Sequence, residues 1–274
     1  MKQLTTHSLG ILIPMVGGLC CGLPFAGKAD TTFTIATTTA DAFVAAGSPG
    51  NPVGTDLTGL NFGGAGTLAI APAGSPKGEF DSVIKFNFGG AISQFNSTYG
   101  AGNWQISGLS LKLASNFGVQ GSQPNNGIFN TINGGNFGID WLPNDSWVEG
   151  SGGGMGSPGF PTTTAISFNS LPTLLAGRDA LGVFNYTAPG NNVYVNYALP
   201  LNANLVSDAA GGGDVSLYFY AADSQVSFLF NARSFAQNQP QFLITATAVP
   251  EPAAMILIVT GLGGLVALRR RTQL

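Results

Sequence analysis

The chain has 274 residues, of which 44% are hydrophobic and only 8% are charged, with 40 glycines, 16 prolines and a formal net charge of −3. That charged fraction is about a third of the roughly 25% typical of soluble domains. The composition therefore excludes a chain kept disordered by its net charge, and it excludes a nucleic-acid-binding protein that relies on basic patches.

Residues 1–29 have the pattern of a secretory signal peptide. Lys2 gives a positive start, an apolar run follows over residues 9–23, and Gly27-Lys28-Ala29 supplies the small residues that a signal peptidase requires. We expect cleavage directly after this triplet, with cleavage after Ala26 as the alternative. Because the apolar run is short, the pattern favours a cleaved signal over a membrane anchor or a core helix.

The exported region, residues 30–247, contains no cysteine and no histidine. It therefore offers no disulfide, no Cys–His or Ser–His nucleophile, and no zinc site built on cysteine or histidine. Five basic and twelve acidic residues give this region a net charge of −7. Such a surface should repel polyanions, so we expect no nucleic-acid partner.

Strand-like alternation recurs through the exported region, whereas no stretch shows sustained helical periodicity with caps. Ile84, Phe86 and Phe88 would share one face of a strand, with Lys85 and Asn87 on the other. The further predicted strands are residues 32–37, 67–70, 106–113, 137–141, 165–168, 183–186, 193–199, 215–220, 226–230 and 241–247. Many short strands separated by Gly-, Asn- and Pro-rich turns predict an all-β fold, an antiparallel β-sandwich or jelly roll.

Two segments, Ala46–Ala65 and Gly150–Thr164, are rich in Gly, Ser, Pro and Asn, which predicts surface loops. The run Gly150–Gly156 is similar to a phosphate-binding loop only in its glycines. It lacks the Lys-Ser/Thr ending, and the sequence predicts no helix after it. We therefore interpret it as a flexible loop.

Several strand-like segments occur in an order that resembles a known extracellular module. The segments are Ser82–Phe86, Ile106–Leu113, Asp145–Gly150, Val226–Phe228 with Arg233, and Pro240–Thr245. Together they are similar to DNRLRE-type modules, which are jelly-roll sandwiches of the carbohydrate-binding-module kind. Ser234 departs from that family, which usually has Glu after the late Arg. The resemblance implies the fold and covers about residues 80–247.

Asp145, Trp147 and Glu149 form the densest polar and aromatic group in the exported region. On a strand they would share one face, with two carboxylates flanking a ring, as glycosidases and sugar-binding sites require. The alternative is a turn at Asp145 with Trp147 buried in the sandwich. Pro143-Asn144-Asp145 is typical of turns, which favours that alternative.

Tyr218 and Tyr220 alternate with Leu217 and Phe219, so both tyrosines would point away from the apolar face. Such a strip could stack on sugar rings, which makes Trp147, Tyr218 and Tyr220 the candidate glycan-binding residues. Tyrosine is also a common strand residue without any ligand.

No organic cofactor is expected, and a structural calcium ion is the only metal that the residue types allow. Asp208, Asp214 and Asp223 lie on or beside predicted loops and would be its ligands. Their spacing fits no EF-hand or nonapeptide repeat, so solvated turn aspartates are the alternative.

The C-terminal segment 248–274 combines three features in order. Pro250-Glu251-Pro252 comes first, the uncharged stretch 253–268 follows, and Arg269-Arg270-Arg271 comes last. Sixteen residues span roughly 24 Å as a helix, and they cross a roughly 30 Å core if the bilayer thins and the arginines snorkel. The arginines would keep the C-terminus in the cytoplasm and place residues 30–252 outside. Three glycines in the stretch disfavour the alternative, a buried core helix.

These three features resemble the PEP-CTERM sorting signal. In that family an exosortase, a membrane-embedded cysteine transpeptidase of Gram-negative bacteria, recognises the tail. The resemblance implies that Pro250, Glu251 and Pro252 form the recognition element and that residues 253–268 are a transient inner-membrane anchor, with Arg269, Arg270 and Arg271 behind it. It also implies export through the Sec machinery and delivery to the cell surface or an exopolysaccharide matrix.

The sequence thus predicts three parts: a signal peptide (1–29), an exported β-sandwich (30–247) and a sorting signal (248–274). We expect the sandwich to be non-enzymatic, with a structural, adhesive or glycan-binding role. The alternative is a secreted glycan-active enzyme that uses Asp145 or Glu149, because a mechanism based on carboxylates alone needs no histidine.

Overall fold

The structure is a computed structural model that describes residues 30–35, 38–47, 56–75, 78–116, 134–152, 159–187, 190–224 and 226–249. The predicted signal peptide and the predicted transmembrane helix lie outside these residues. Within the described ranges, no helix has the length and apolar character needed to cross a membrane.

The described residues form thirteen strands and three α-helices. The strands are β1 (Thr31–Ile35), β2 (Ala40–Ala45), β3 (Leu60–Asn61), β4 (Thr67–Ile70), β5 (Phe80–Asn87), β6 (Trp104–Ala114), β7 (Gly135–Leu142), β8 (Phe160–Pro161), β9 (Asp179–Tyr186), β10 (Tyr194–Leu199), β11 (Asp214–Ala221), β12 (Phe228–Asn231) and β13 (Gln241–Ala248). The helices are α1 (Gly89–Tyr99), α2 (Leu171–Leu174) and α3 (Ala203–Gly211).

Two antiparallel sheets make up the body of the fold. One has four strands in the order β1-β13-β6-β10, and the other has five in the order β2-β5-β11-β7-β9. Two further ladders join β4 to β12 and β3 to β8. Residues from both large sheets share one hydrophobic core. The predicted antiparallel β-sandwich is therefore confirmed.

Facing strands fill the core between the two sheets with aromatic side chains. Phe86 of β5 meets Phe242 of β13 edge to face, with ring centroids 5.3 Å apart. Ile84, Phe86 and Phe88 all lie in this core, as the alternation in β5 predicted.

The five-stranded sheet is also covered on its second side, which we call the outer face. Val83, Leu142 and Tyr218 pack there against Trp147 and Leu171 in a separate apolar cluster. The cover comes from the chain between β7 and β9. A polar side chain on this face is therefore not automatically solvated, and Lys85 is only 8% exposed.

The helices correct the prediction that the exported region lacks them. Helix α1 has no side-chain cap, and it is held by burying Ala91, Phe95 and Tyr99 at intervals of four residues. Helix α3 begins after Asn202, whose side-chain oxygen accepts hydrogen bonds from the backbone N–H groups of Asn204 and Leu205. Both helices are too short for a sustained periodic pattern in the sequence.

The predicted strand at residues 165–168 is wrong. Ile166 and Ser167 belong to no strand, and a 3₁₀ turn follows at Phe168–Ser170. The Ser170 hydroxyl closes this turn by accepting from the Ser167 N–H and donating to the Ser167 carbonyl. Local side-chain bonds of this kind compete with a strand ladder.

The two predicted surface loops are partly wrong. Leu60–Asn61 pairs with Phe160–Pro161, so the two segments contact each other, and Asn61 is buried. The Asn61 amide nitrogen donates to the carbonyl oxygens of Glu149 (2.7 Å) and Ile166 (2.8 Å). Residues 48–55 and 153–158 of these segments lie outside the described part.

Candidate functional site

The outer face of the five-stranded sheet gathers a set of polar and aromatic side chains that we call the tyrosine–carboxylate cluster. Its members are Tyr218, Tyr220, Asp81, Asp140 and Arg178. The tyrosines are two residues apart on β11, so both point to the outer face. Asp140 of β7 stands opposite Tyr218. On the other side of β11, Val83 of β5 stands opposite Tyr218. Asp81 lies two residues before Val83 on the same strand, so its side chain shares this face.

A guanidinium group lies over the two tyrosine rings. The rings are stacked, with centroids 5.4 Å apart and an interplanar angle of 20°. The Arg178 Cζ is 5.5 Å from the Tyr218 centroid and 5.8 Å from that of Tyr220. Its Nε is 3.2 Å from the Asp140 Oδ2, and the Arg178 side chain is 41% exposed. The arrangement combines cation–π contacts with an ion pair at the protein surface.

Tyr220 lies flat across β7. A Cβ atom added at Gly138, its cross-strand partner, would collide with the Tyr220 ring. Glycine at this position lets the ring rest on the strand, as aromatic side chains commonly do beside strand glycines.

The carboxylates of the cluster are buried and have raised pKa values. Tyr218 donates its hydroxyl hydrogen to the Asp81 Oδ2 over 2.8 Å. Burial raises the pKa of Asp81 to about 7 and also raises the pKa of Tyr218. Burial likewise raises the pKa of Asp140, opposed by the charge of Arg178 and by a hydrogen bond from Tyr220. Within the described residues, the second oxygen of Asp81 and that of Asp140 have no hydrogen-bond partner.

A second polar group surrounds Arg233, two residues after the end of β12. Its Nη2 lies 2.6 Å from the Glu149 Oε2. Its backbone N–H donates to the Asp41 carboxylate. Burial raises the pKa of Asp41 to about 7, and it also raises the pKa of Glu149. Glu149 is therefore an ion-paired carboxylate in a partly desolvated position.

Trp147 is buried rather than presented to a ligand. It is 9% exposed, and its indole N–H donates to the Ser216 hydroxyl oxygen over 2.9 Å. The adjacent turn is closed by Asn144, whose side-chain oxygen accepts from the Ser146 N–H at 2.9 Å. The structure thus supports the turn alternative, with Asn144 in the role that the sequence suggested for Asp145.

Asp145 and Glu149 have different surroundings. Burial raises the pKa of Asp145, opposed first by a hydrogen bond from Ser216. Glu149 is engaged by Arg233, as described above. Trp147 stands between them in the chain with its ring buried, so the two carboxylates do not flank an exposed ring.

The three aspartates proposed as calcium ligands each accept from a different partner. Asp208 accepts from the Trp141 indole (2.8 Å), Asp214 from the Asn87 amide (2.9 Å) and Asp223 from the Asn136 N–H (2.8 Å). In the part of the chain that the structure describes, no group of three or more acidic, cysteine or histidine residues is arranged to hold a metal ion.

Sequence reasoning missed Asp81, Asp140 and Arg178. Asp140 alternates with Ile139 and Trp141, which is a signal that it faces away from the core. No local pattern showed that Tyr218 would stand beside it, because that depends on the order of the strands.

The sorting-signal residues lie outside the part of the chain that the structure describes; they are Pro250, Glu251, Pro252 and Arg269–Arg271. A search of curated proteins gave no match. A family model for the PEP-CTERM protein-sorting motif matches residues 248–271. The match covers the proline–glutamate–proline element, the apolar stretch and the basic cluster in that order. This chain therefore carries a PEP-CTERM sorting signal, which marks it as an exported protein that an exosortase processes.

Proposed function

We propose that this chain is a non-enzymatic protein of the cell envelope or extracellular matrix, with a structural, adhesive or glycan-binding role. The tyrosine–carboxylate cluster favours glycan binding among these. The observation that carries the proposal is the exposed Arg178 guanidinium over the stacked Tyr218 and Tyr220 rings, on a domain that is exported.

Sugar rings offer apolar faces that pack on aromatic side chains and hydroxyl groups that need hydrogen-bond partners. Tyr220 is partly exposed and supplies the part of its ring that β7 and Arg178 leave uncovered. Arg178 keeps N–H donors beyond the one that faces Asp140. Tyr218 is only 4% exposed, so its ring packs against that of Tyr220 and offers little surface to a ligand. Trp147, which is buried, takes no part in the proposed contact.

The test is binding of the processed protein to immobilised polysaccharide from its native host. Tyr220→Ala should lower the binding at least several-fold, because it removes the stacking surface and leaves the buried Tyr218–Asp81 hydrogen bond in place. Tyr194→Ala is the matched control. Tyr194 is a partly exposed tyrosine on the other sheet, with the Lys112 ammonium 4.6 Å from its ring centroid. Equal binding by wild type and Tyr220→Ala would exclude the cluster as the contact.

A glycan-active enzyme is the second candidate. It is favoured by Glu149, whose pKa is raised by burial, since general acids of glycosidases share that property. The same polysaccharide screen, assayed for new reducing ends, separates the two functions. Turnover that Glu149→Gln abolishes would support the enzyme, whereas binding without product supports the first proposal.

A further inference from the structure

The first and last strands of the exported domain are neighbours in one sheet. Strand β1 pairs with β13 in antiparallel register, with Thr31 opposite Ala246. Asp30, the first residue after the predicted signal-peptide cleavage, therefore lies at the same end of the sheet as Val249. Pro250 of the sorting signal follows Val249 directly. We call this end of the fold, residues 30–31, 99–104 and 246–249, the terminal pole.

Side-chain and backbone hydrogen bonds hold the terminal pole together. The Tyr99 hydroxyl lies 2.9 Å from the Thr31 Oγ1 and 3.0 Å from the Ala246 carbonyl oxygen, so it contacts both terminal strands. The pairing of β13 with β6 continues to Ala248, and the Val249 N–H donates to the Asn103 carbonyl oxygen over 2.9 Å. Ordered backbone pairing thus reaches Val249, the residue immediately before the Pro250-Glu251-Pro252 element.

The chemistry of the terminal pole fits a protein partner better than a lipid surface. Residues 88–111 contain no charged side chain, and Gly100–Asn103 forms a turn of small, mostly exposed residues. Anionic lipid headgroups attract clusters of Lys and Arg, whereas the one charged side chain among the residues of the terminal pole is the exposed carboxylate of Asp30. Small uncharged residues allow another protein to approach the backbone closely.

We propose that the terminal pole is the surface that the exosortase contacts while it processes the chain. The proposal rests on the exosortase processing that underlies the proposed function. Only Val249 separates the β13 ladder from Pro250, and one extended residue spans about 3.5 Å. An enzyme that encloses Pro250-Glu251-Pro252 in a cleft must therefore touch the terminal pole at the same time.

The test measures the rate of C-terminal processing of the full chain by pulse-chase in its native host. Ala101→Arg places a long charged side chain on the exposed turn of the terminal pole and should slow processing at least several-fold. Ala236→Arg is the matched control, since Ala236 is an exposed residue in the turn that precedes β13, at the far end of that strand. It should be processed within twofold of wild type. A four-residue Gly-Ser spacer inserted after Val249 should restore the rate of Ala101→Arg.

Each outcome decides the proposal. Processing of Ala101→Arg at the wild-type rate, or equal slowing by Ala236→Arg with unchanged melting temperatures, overturns it. Co-flotation of the processed protein, which no longer carries the apolar stretch 253–268, with phosphatidylglycerol vesicles that lack the enzyme would assign the terminal pole to the lipid surface instead. Absence of processing in wild type would refute the exosortase premise itself. Glycan binding by Tyr220→Ala is measured separately, so failure of the proposed glycan-binding function is distinguishable from failure of the proposed exosortase contact.

Discussion

Lys85 and Trp147 join strand β5 of the outer face to the chain segment that covers it. The Lys85 ammonium nitrogen lies 3.1 Å from the Trp147 carbonyl oxygen and 4.8 Å from the centroid of its ring. The same nitrogen lies 2.6 Å from the Asp145 carbonyl oxygen. A buried ammonium is stable only when its hydrogens are bound, and here two carbonyls and an aromatic face surround it.

Replacing Lys85 with Met should destabilise the fold. The change keeps most of the apolar part of the side chain but leaves two carbonyl oxygens without their hydrogen-bond donor. Each buried acceptor that finds no other partner costs about 1–3 kcal/mol of stability. We expect the free energy of unfolding, measured by urea denaturation, to fall by roughly 2–4 kcal/mol. Lys112→Met is the control. Lys112 is a partly exposed lysine over the Tyr194 ring, and its loss should cost less than about 1 kcal/mol. Equal effects of the two changes would contradict the stabilising role of Lys85.

Strand β5 shows what the sequence could and could not predict. Alternation correctly placed Phe86 in the core and Lys85 on the opposite face. It could not show that the face of Lys85 is covered, because the cover begins about 60 residues later in the chain. The same limit applies to the tyrosine–carboxylate cluster, since Asp140 and Tyr218 meet only through the strand order β5-β11-β7. The sorting signal was predictable because all of its features are contiguous.

Helices α1 and α3 differ in how well their sequences indicate a helix. Asn202 and Gly212 are a recognisable N-cap and C-terminal glycine for α3, and Gly212 has a φ of 74°. Helix α1 has no side-chain cap, and Gly89 and Gly90 at its start disfavour a helix. It forms because Phe95 and Tyr99 are buried between α1 and the sheets, a tertiary effect that no local pattern contains.

Gly152 should tolerate no side chain. A Cβ at this position would collide with the backbone carbonyl of Asn61, while the Gly152 N–H already donates to the Asn61 side-chain oxygen at 3.0 Å. Because backbone must move, we expect Gly152→Ala to lower the free energy of unfolding by about 1–3 kcal/mol. Gly74→Ala is the matched control, since a Cβ there meets nothing within 4 Å. It should change stability by less than about 1 kcal/mol. A neutral Gly152→Ala in urea denaturation would show that the two loops are not packed as described.

Asn202 should contribute to stability through its cap. Asn202→Ala removes the oxygen that accepts from Asn204 and Leu205, and typical N-cap losses are about 1 kcal/mol. Thermal unfolding should show a lower melting temperature for this variant. Ser207→Ala, an exposed change in the middle of α3, should leave it equal or slightly higher because alanine is the better helix former. The cap would be irrelevant if both variants melted like wild type.

The buried carboxylates should make the protein less stable as the pH rises. Burial raises the pKa of Asp81 and of Asp41 to about 7, from an ordinary value of 3.8. Glu79 adds to the rise at Asp81 and Arg178 opposes it. The folded state therefore binds protons more tightly than the unfolded chain between these values. This contribution to stability is fully present below about pH 4 and is lost as the pH rises through about 7.

The amide variants test this dependence directly. Asp81→Asn keeps an oxygen that can accept from the Tyr218 hydroxyl, and Asp41→Asn keeps one for the Arg233 N–H. Neither amide has a charge to desolvate, so the free energy of unfolding, measured by urea at pH 4.5, 6 and 7.5, should fall less steeply with pH than in wild type. Asp56→Asn is the control, because hydrogen bonds from Thr58 lower the pKa of Asp56 and its titration is complete below this range. A double variant with Asp81→Asn and Asp41→Asn should have the flattest dependence of the free energy of unfolding on pH. If the free energy of unfolding of wild type is constant or rises with pH, these carboxyl groups are not desolvated in the folded protein.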